Sequence, residues 1–252
     1  MKRTLLSAIL ALAPAFAGPV VFSAAGAATG DLTTELTNFR TALGAQNPNT
    51  ATNFVGGRRE INWDGVPASA TEPNAFPGNF FNGSAAGRAR GITFSTPGSS
   101  LLVSVPDGSD DYTFFSPSKL FEPVGSDITD VHFFSPKDQK TVAVTNGFGA
   151  IFLDVDESTT ASMEFFGLSG ASLGVFQVPS FAGTKTFSFL GVTFDSPAIA
   201  RVRIISSSLT DEAAMDDFIY GEPTATPEPA TCATLAAALV GLAVLKRKSA
   251  RQ

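Results

Sequence analysis

Downstream of Gly87 the chain repeats one pattern: four to nine residues that are apolar, β-branched or aromatic, then a short polar stretch carrying Gly, Pro, Asn or Asp. The runs fall at 91–94, 101–105, 131–134, 141–144, 150–155, 161–166, 174–178, 186–194, 199–205 and 215–220. Pro106-Asp107-Gly108, Asn146-Gly147 and Ser169-Gly170 separate some of them, and these residue types favour the backbone angles of turns. Ten strands so spaced predict a β-sandwich or barrel. Period-two alternation predicts faces in two of them: Phe187 and Phe189 inward with Thr186 and Ser188 outward, and Val202 and Ile204 inward between Arg201 and Arg203. With 23 phenylalanines against one Trp and two Tyr, the core is expected to be built mainly of Phe.

Before Gly87 the period changes. Leu32, Leu36, Phe39 and Leu43 recur every three to four residues, Asp31 stands where a cap belongs and Gly44 follows, which predicts one short helix lying across the end of a sheet. Residues 47–84 are rich in Asn, Pro, Gly and Ala and predict a long loop region, interrupted by the strand-like Arg59-Glu60-Ile61-Asn62-Trp63 and the turn pair Asp64-Gly65.

Both ends follow neither pattern. Met1-Lys2-Arg3, an apolar run through Phe22 and the small residues Gly26-Ala27-Ala28 read as a secretory leader, cut after Ala28. At the other end Pro227-Glu228-Pro229 stops any strand or helix interior. An apolar run from Ala230 to Leu245 follows, and then the basic cluster Lys246-Arg247-Lys248 with Arg251. As a helix those 16 residues would span roughly 24 Å, short of a hydrocarbon core of about 30 Å. The terminal cations would stay cytoplasmic, placing the rest of the chain on the outer side. On composition alone a single-span anchor is an equal reading.

These three parts in this order resemble the PEP-CTERM sorting signal of exported bacterial proteins. The resemblance implies recognition at Pro227, Glu228 and Pro229 and removal of the tail by an exosortase, an integral membrane cysteine protease, on the way to the cell surface or an extracellular polysaccharide matrix. It covers about 26 residues and is silent on the body. The stretch from about Asn38 to Glu222 also resembles a group of exported bacterial proteins carrying the same tail. The pieces involved are 57–67 (Gly57 to Pro67), Gly147-Phe148-Gly149-Ala150 running into Asp154-Val155-Asp156, and Ala214 to Gly221. Such closing strands look like those of jelly-roll, lectin-like modules. The expected architecture is therefore all-β: a jelly-roll-like β-sandwich with a short N-terminal helix, flanked by a signal peptide and a short C-terminal transmembrane helix. The expected boundaries are 1–28 for the leader, 29–222 for the sandwich and 223–252 for the sorting signal.

Charge sharpens this. The overall −6 hides six cations at the ends, Lys2, Arg3, Lys246, Arg247, Lys248 and Arg251; without them 11 basic face 23 acidic residues, a balance of −12. Nucleic acid is thereby excluded as a partner. The single cysteine, Cys232, lies in the tail, so a processed body holds no disulfide, thiolate metal site or cysteine nucleophile.

Candidate chemistry is sparse. Gly170-Ala171-Ser172-Leu173-Gly174 matches G-x-S-x-G, but strands flank it and the sole histidine, His132, precedes it, so it reads as a hairpin turn. No catalytic residue is assigned. Asp154, Asp156, Asp216 and Asp217 are candidate Ca²⁺ ligands, because calcium takes six to eight hard oxygens and strand ends can supply them. Within a regular strand Asp216 and Asp217 would point to opposite faces, at most one of them inward. The competing readings are a solvated acidic turn or a carboxylate paired with Arg201 or Arg203. Trp63, with Asp64 and Arg59 beside it, is a candidate glycan platform, since a ring face covers sugar C–H surface while polar groups take hydroxyls; Trp63 in the core is the competing reading.

The expected function is that of an exported surface or matrix protein, non-catalytic, sorted through its tail and binding glycan or calcium through its body. The expected partners are the Sec export machinery, an exosortase, the membrane before processing, and extracellular polysaccharide. The alternative of a different class is an extracellular glycan-processing enzyme using paired carboxylates.

Overall fold

A computed structural model of the protein describes residues 18–105, 113–206 and 214–226. The fold is all-β, with antiparallel sheets and one short helix. The larger, seven-stranded sheet contains β1 (Val20–Gly26), β2 (Arg58–Ile61), β4 (Ser100–Ser104), β5 (Leu120–Val124), β8 (Gly147–Leu153), β11 (Phe187–Thr193) and β13 (Ala214–Gly221). The smaller has β3 (Ile92–Ser95), β6 (Ile128–Phe133), β9 (Ser162–Phe166), β10 (Ser172–Gln177) and β12 (Arg201–Ile205), and β7 (Ala143–Val144) pairs with β14 (Thr224–Ala225). Strand order is β1-β11-β8-β13-β5-β4 in the larger sheet, with β2 also on β13, and β10-β9-β12-β6-β3 in the smaller.

One core joins the two sheets: Phe148, Phe152, Leu190 and Phe218 from the larger pack with Phe94, Val131, Phe133, Phe165 and Val202 from the smaller. Val202 and Ile204 are inward and Arg201 and Arg203 half-buried, as the alternation predicts. The second cluster lies on the other face of the larger sheet. There helix α1 (Thr33–Leu43), entered through a 3-10 turn at Thr29–Leu32, sets Leu36, Phe39 and Leu43 against Ile151, Leu153, Phe187, Phe189 and Ile219. The helix, expected across a sheet end and covering edge or core, covers a core face of the larger sheet. Gly44 closes it at φ +96°, and Asp31 turns back to accept a hydrogen bond from the Ala28 amide at 3.0 Å.

A helix on one side and a second sheet on the other bury β8, β11 and β13 on both faces. The alternation at 186–189 is corrected accordingly: Phe187 and Phe189 face the helix, while Thr186 and Ser188, expected outward, are buried and their hydroxyls lack a hydrogen-bond partner. Gly149 and Gly191 are paired across β8 and β11 directly beneath the Phe39 ring. A Cβ on either would stand 2.8 Å from a ring carbon, closer than carbon atoms pack.

All ten predicted runs contain a strand. Val20–Gly26, inside the expected leader of 1–28, is the edge strand of the larger sheet, in register with β11 from Val20↔Thr193 to Gly26↔Phe187. No helix among the described residues is long and apolar enough to cross a membrane. The expected C-terminal helix, with Pro227, Glu228, Pro229, Lys246, Arg247 and Lys248, lies outside the described residues, as does most of the leader.

Candidate functional site

Pairing of β13 with β8 slips between Met215 and Phe218, so Asp216 and Asp217 occupy a β-bulge, where strand alternation breaks. Both side chains are buried, 0% and 7% exposed, which corrects the expectation that only one turns inward. Residues 114–119 strap across them. The amides of Phe115 and Ser116 donate to Asp216 Oδ2 at 2.8 and 3.1 Å, and Ser116 Oγ stands 3.0 Å from Asp216 Oδ1 and 2.8 Å from Asp217 Oδ1.

A hydroxyl has one proton to donate, so it cannot serve two carboxylates at once. The three groups are satisfied together when Asp216 keeps a proton, shared with Asp217 directly or through Ser116 Oγ, and Ser116 donates to Asp217. The electrostatics agree. Burial, then the negative charge of Asp217, push the Asp216 carboxyl up to about 8. Burial also raises Asp217, against the opposing hydrogen bond from Ser116.

The far end of the strap is held by Asp64, whose Oδ1 accepts from the amides of Ser118 and Lys119, while Lys119 Nζ donates back to the carbonyls of Asp64, at 3.0 Å, and Val66. Trp63 locks the two systems together by donating from Nε1 to the Asp216 carbonyl at 2.7 Å. Its φ is +43°, and the indole, on the same side as the buried Arg59 and Ile61, is 1% exposed. It stacks on Phe121 with centroids 4.3 Å apart and 9° between planes, and it meets Phe76, Phe81, Phe94 and Phe218 at edges or tilts. The proposed glycan platform is therefore core: Trp63 offers no exposed face, and Asp64 is committed to the strap.

Arg59, the third member of that set, is fully buried. Its Nε and Nη2 form a bidentate pair with Glu222 at 2.7 and 2.9 Å. Its remaining donors reach the carbonyls of Ala89, Thr52 and Pro48. Glu222 also accepts from Asn47 and from the Phe54 amide, so this single pair ties the 47–54 loop to the end of β13.

The calcium expectation fits poorly. Asp154 and Asp156 follow β8, where their Oδ1 atoms accept from the amides of Lys185 and Gly183 and fasten the turn leading into β11. Both oxygens of Asp216 and Oδ1 of Asp217 are engaged by the strap, whereas a cation needs such lone pairs free. Among the described residues no group of three or more His, Cys, Asp or Glu gathers as a metal set. Arg201 and Arg203 pair with neither set; Asp130 takes both, at 2.7 Å each. Burial works against ionisation of that carboxyl, but the two guanidinium hydrogen bonds hold it below the usual range. His132 lies on the neighbouring strand position, half-buried, with its pKa lowered by burial. Of the Gly170–Gly174 stretch, Gly170, at φ +78°, and Ala171 lie in the hairpin turn between β9 and β10, while Ser172, Leu173 and Gly174 already belong to β10.

Reasoning from the chain order missed Ser116 and Glu222, because each acts on a residue a hundred or more positions away. It also missed an open cleft of about 430 Å³ lined by Gly65, Pro67, Phe80, Phe81, Arg88 and Arg90. The guanidinium groups of Arg88 and Arg90 lie 4.0 and 4.4 Å from the ring centroids of Phe80 and Phe81, so cations cover both aromatic faces.

No family model matches the chain, and no curated protein matches it in sequence. Among solved structures it is similar to the enzymatically active domain of bacteriophage CBA120 tailspike protein 4, with 16% identity and a TM-score of 0.28. The match covers 62% of this chain and 21% of the tailspike chain, and at that TM-score it carries no argument about fold or function.

Proposed function

We propose that the chain is an exported protein of the bacterial cell surface or extracellular matrix, made with a cleavable leader and a C-terminal PEP-CTERM-type sorting tail, whose jelly-roll-like body acts non-catalytically. The observation that carries this reading is the tail itself: Pro227-Glu228-Pro229, an apolar run too short for a comfortable span, and Lys246-Arg247-Lys248, in the order an exosortase substrate requires. Among the described residues, strand β14 closes at Ala225 and the Thr226 amide donates to the Val142 carbonyl at 3.2 Å.

The glycan-processing alternative has less support, because the adjacent carboxylates Asp216 and Asp217 lie beneath a strap that uses their oxygens. The test is expression in a bacterium that has an exosortase and in the same strain without it. The reading expects loss of the tail and release from the membrane only when the exosortase is present, and retention of an uncut membrane form when Pro227 and Glu228 are both replaced by Ala. An identical full-length product in all three cases would overturn it.

A further inference from the structure

Strand β1 joins the body to what precedes it, and its contacts decide where a leader can end. All seven of its residues are in register with β11. The Phe22 ring lies 5.4 Å from the Phe39 ring of helix α1, and Ala24 packs in the same cluster. Beyond the strand the chain is tied directly to the helix entrance: the Ala28 amide donates to Asp31 Oδ2, the Asp31 amide donates to the Ala28 carbonyl, each at 3.0 Å, and Gly26 leaves the space that the Asp31 carboxylate fills.

A cut after Ala28 would fall inside that turn and discard β1. The product would present the β11 edge, a strand buried on both faces, as a row of unpaired N–H and C=O groups, and would strip Phe22 from Phe39. Eleven residues upstream the chain offers another site. Met1-Lys2-Arg3 is followed by nine residues without a charge, Leu5 to Ala13, a length within the usual range of about 7–15 for a leader's apolar segment. Pro14 ends that run, and Ala15-Phe16-Ala17 places small residues three and one positions before the next bond. Gly18 and Pro19 then form an exposed spacer, and ladder pairing begins at Val20.

We propose that the leader is removed by hydrolysis of the Ala17–Gly18 amide, so that β1 is retained as the edge strand of the exported body. Water adds across the C–N bond, leaving a carboxylate on Ala17 of the leader and an ammonium on Gly18 of the body; the hydrolase is a membrane signal peptidase acting on a small-x-small site. This rests on the export reading above and moves its boundary from Ala28 to Ala17.

The experiment is N-terminal sequencing and intact-mass measurement of the full chain expressed in a Gram-negative host and recovered from the cell envelope or medium. The exported product is expected to begin at Gly18, Ala17→Leu to abolish it in favour of unprocessed precursor, and Ala28→Leu to leave the start at Gly18. A product beginning at Thr29 overturns the assignment while leaving export intact. A cytosolic product beginning at Met1 overturns the export reading as well, and any other start, or a Gly18 start that survives Ala17→Leu, overturns the assigned site.

Discussion

Replacing Asp216 with Asn tests the proton chain beneath the strap. The carboxyl has its pKa raised from 3.8 to about 8 by burial and by the charge of Asp217. A folded-state value above the unfolded one means that its stabilising contribution is fully present below about pH 4 and is lost as pH rises through 8. At about 1.4 kcal/mol per unit the full shift is worth at most about 6 kcal/mol. For a domain of this size that is roughly 10–20 °C in Tm. Glu60, Asp130 and Asp138 are held low by arginine or backbone donors and act in the opposite sense, losing stability as pH falls. They are the same in wild type and variant, so the difference between the two reports on the coupled Asp216–Asp217 pair. Asn keeps an oxygen for the Phe115 and Ser116 amides and supplies a fixed N–H toward Ser116 Oγ. Thermal melts from pH 4 to 9 should therefore give nearly equal Tm values at pH 4 and an Asp216→Asn advantage that grows to several degrees by pH 8–9. A Tm difference independent of pH, or an advantage at pH 4 that vanishes at pH 9, would refute the shared-proton reading.

Three further perturbations follow from the packing. Glu222→Ala strands the buried Arg59 guanidinium and should cost about 3–5 kcal/mol by urea unfolding; limited proteolysis should then cut first within residues 47–54, and a first cut elsewhere would contradict the pair's role as that loop's anchor. Gly191→Ala drives a methyl into the Phe39 ring and should cost about 1–3 kcal/mol, with Phe39→Leu partly suppressing it in the double mutant; simple additivity would contradict the contact. Trp63→Ala should destabilise by about 3–5 kcal/mol. If it instead left the melt unchanged and abolished binding on a glycan array, the buried assignment would fail.

The strands were legible wherever one face alone is buried, as at Val202 and Ile204, because period two survives there. They were misread at 186–189, where a helix that cannot be placed from local pattern covers the second face and makes Thr186 and Ser188 interior. The helix was legible in its stripe of Leu36, Phe39 and Leu43, yet its target was not, since glycine at 149 and 191 reads as flexibility until the ring above it is known. Strand β1 hid inside an apolar stretch that suits a leader equally well. The candidate site was half legible: Asp216 and Asp217 stand out as adjacent acids, but the bulge that buries both depends on register with β8, and Ser116 and Asp64 meet them only through tertiary contacts. Trp63 was named for its chemistry, although it keeps the period-two parity of Arg59 and Ile61, whose side of the strand is buried.

The most direct test of the central claim is cell fractionation combined with the intact mass of the native polypeptide, since one mass fixes both ends. The account predicts a polypeptide in the envelope or outside the cell that lacks the residues before Gly18 and the apolar, basic-tipped tail. A full chain of 252 residues recovered from the cytosol, with both ends attached, would contradict it.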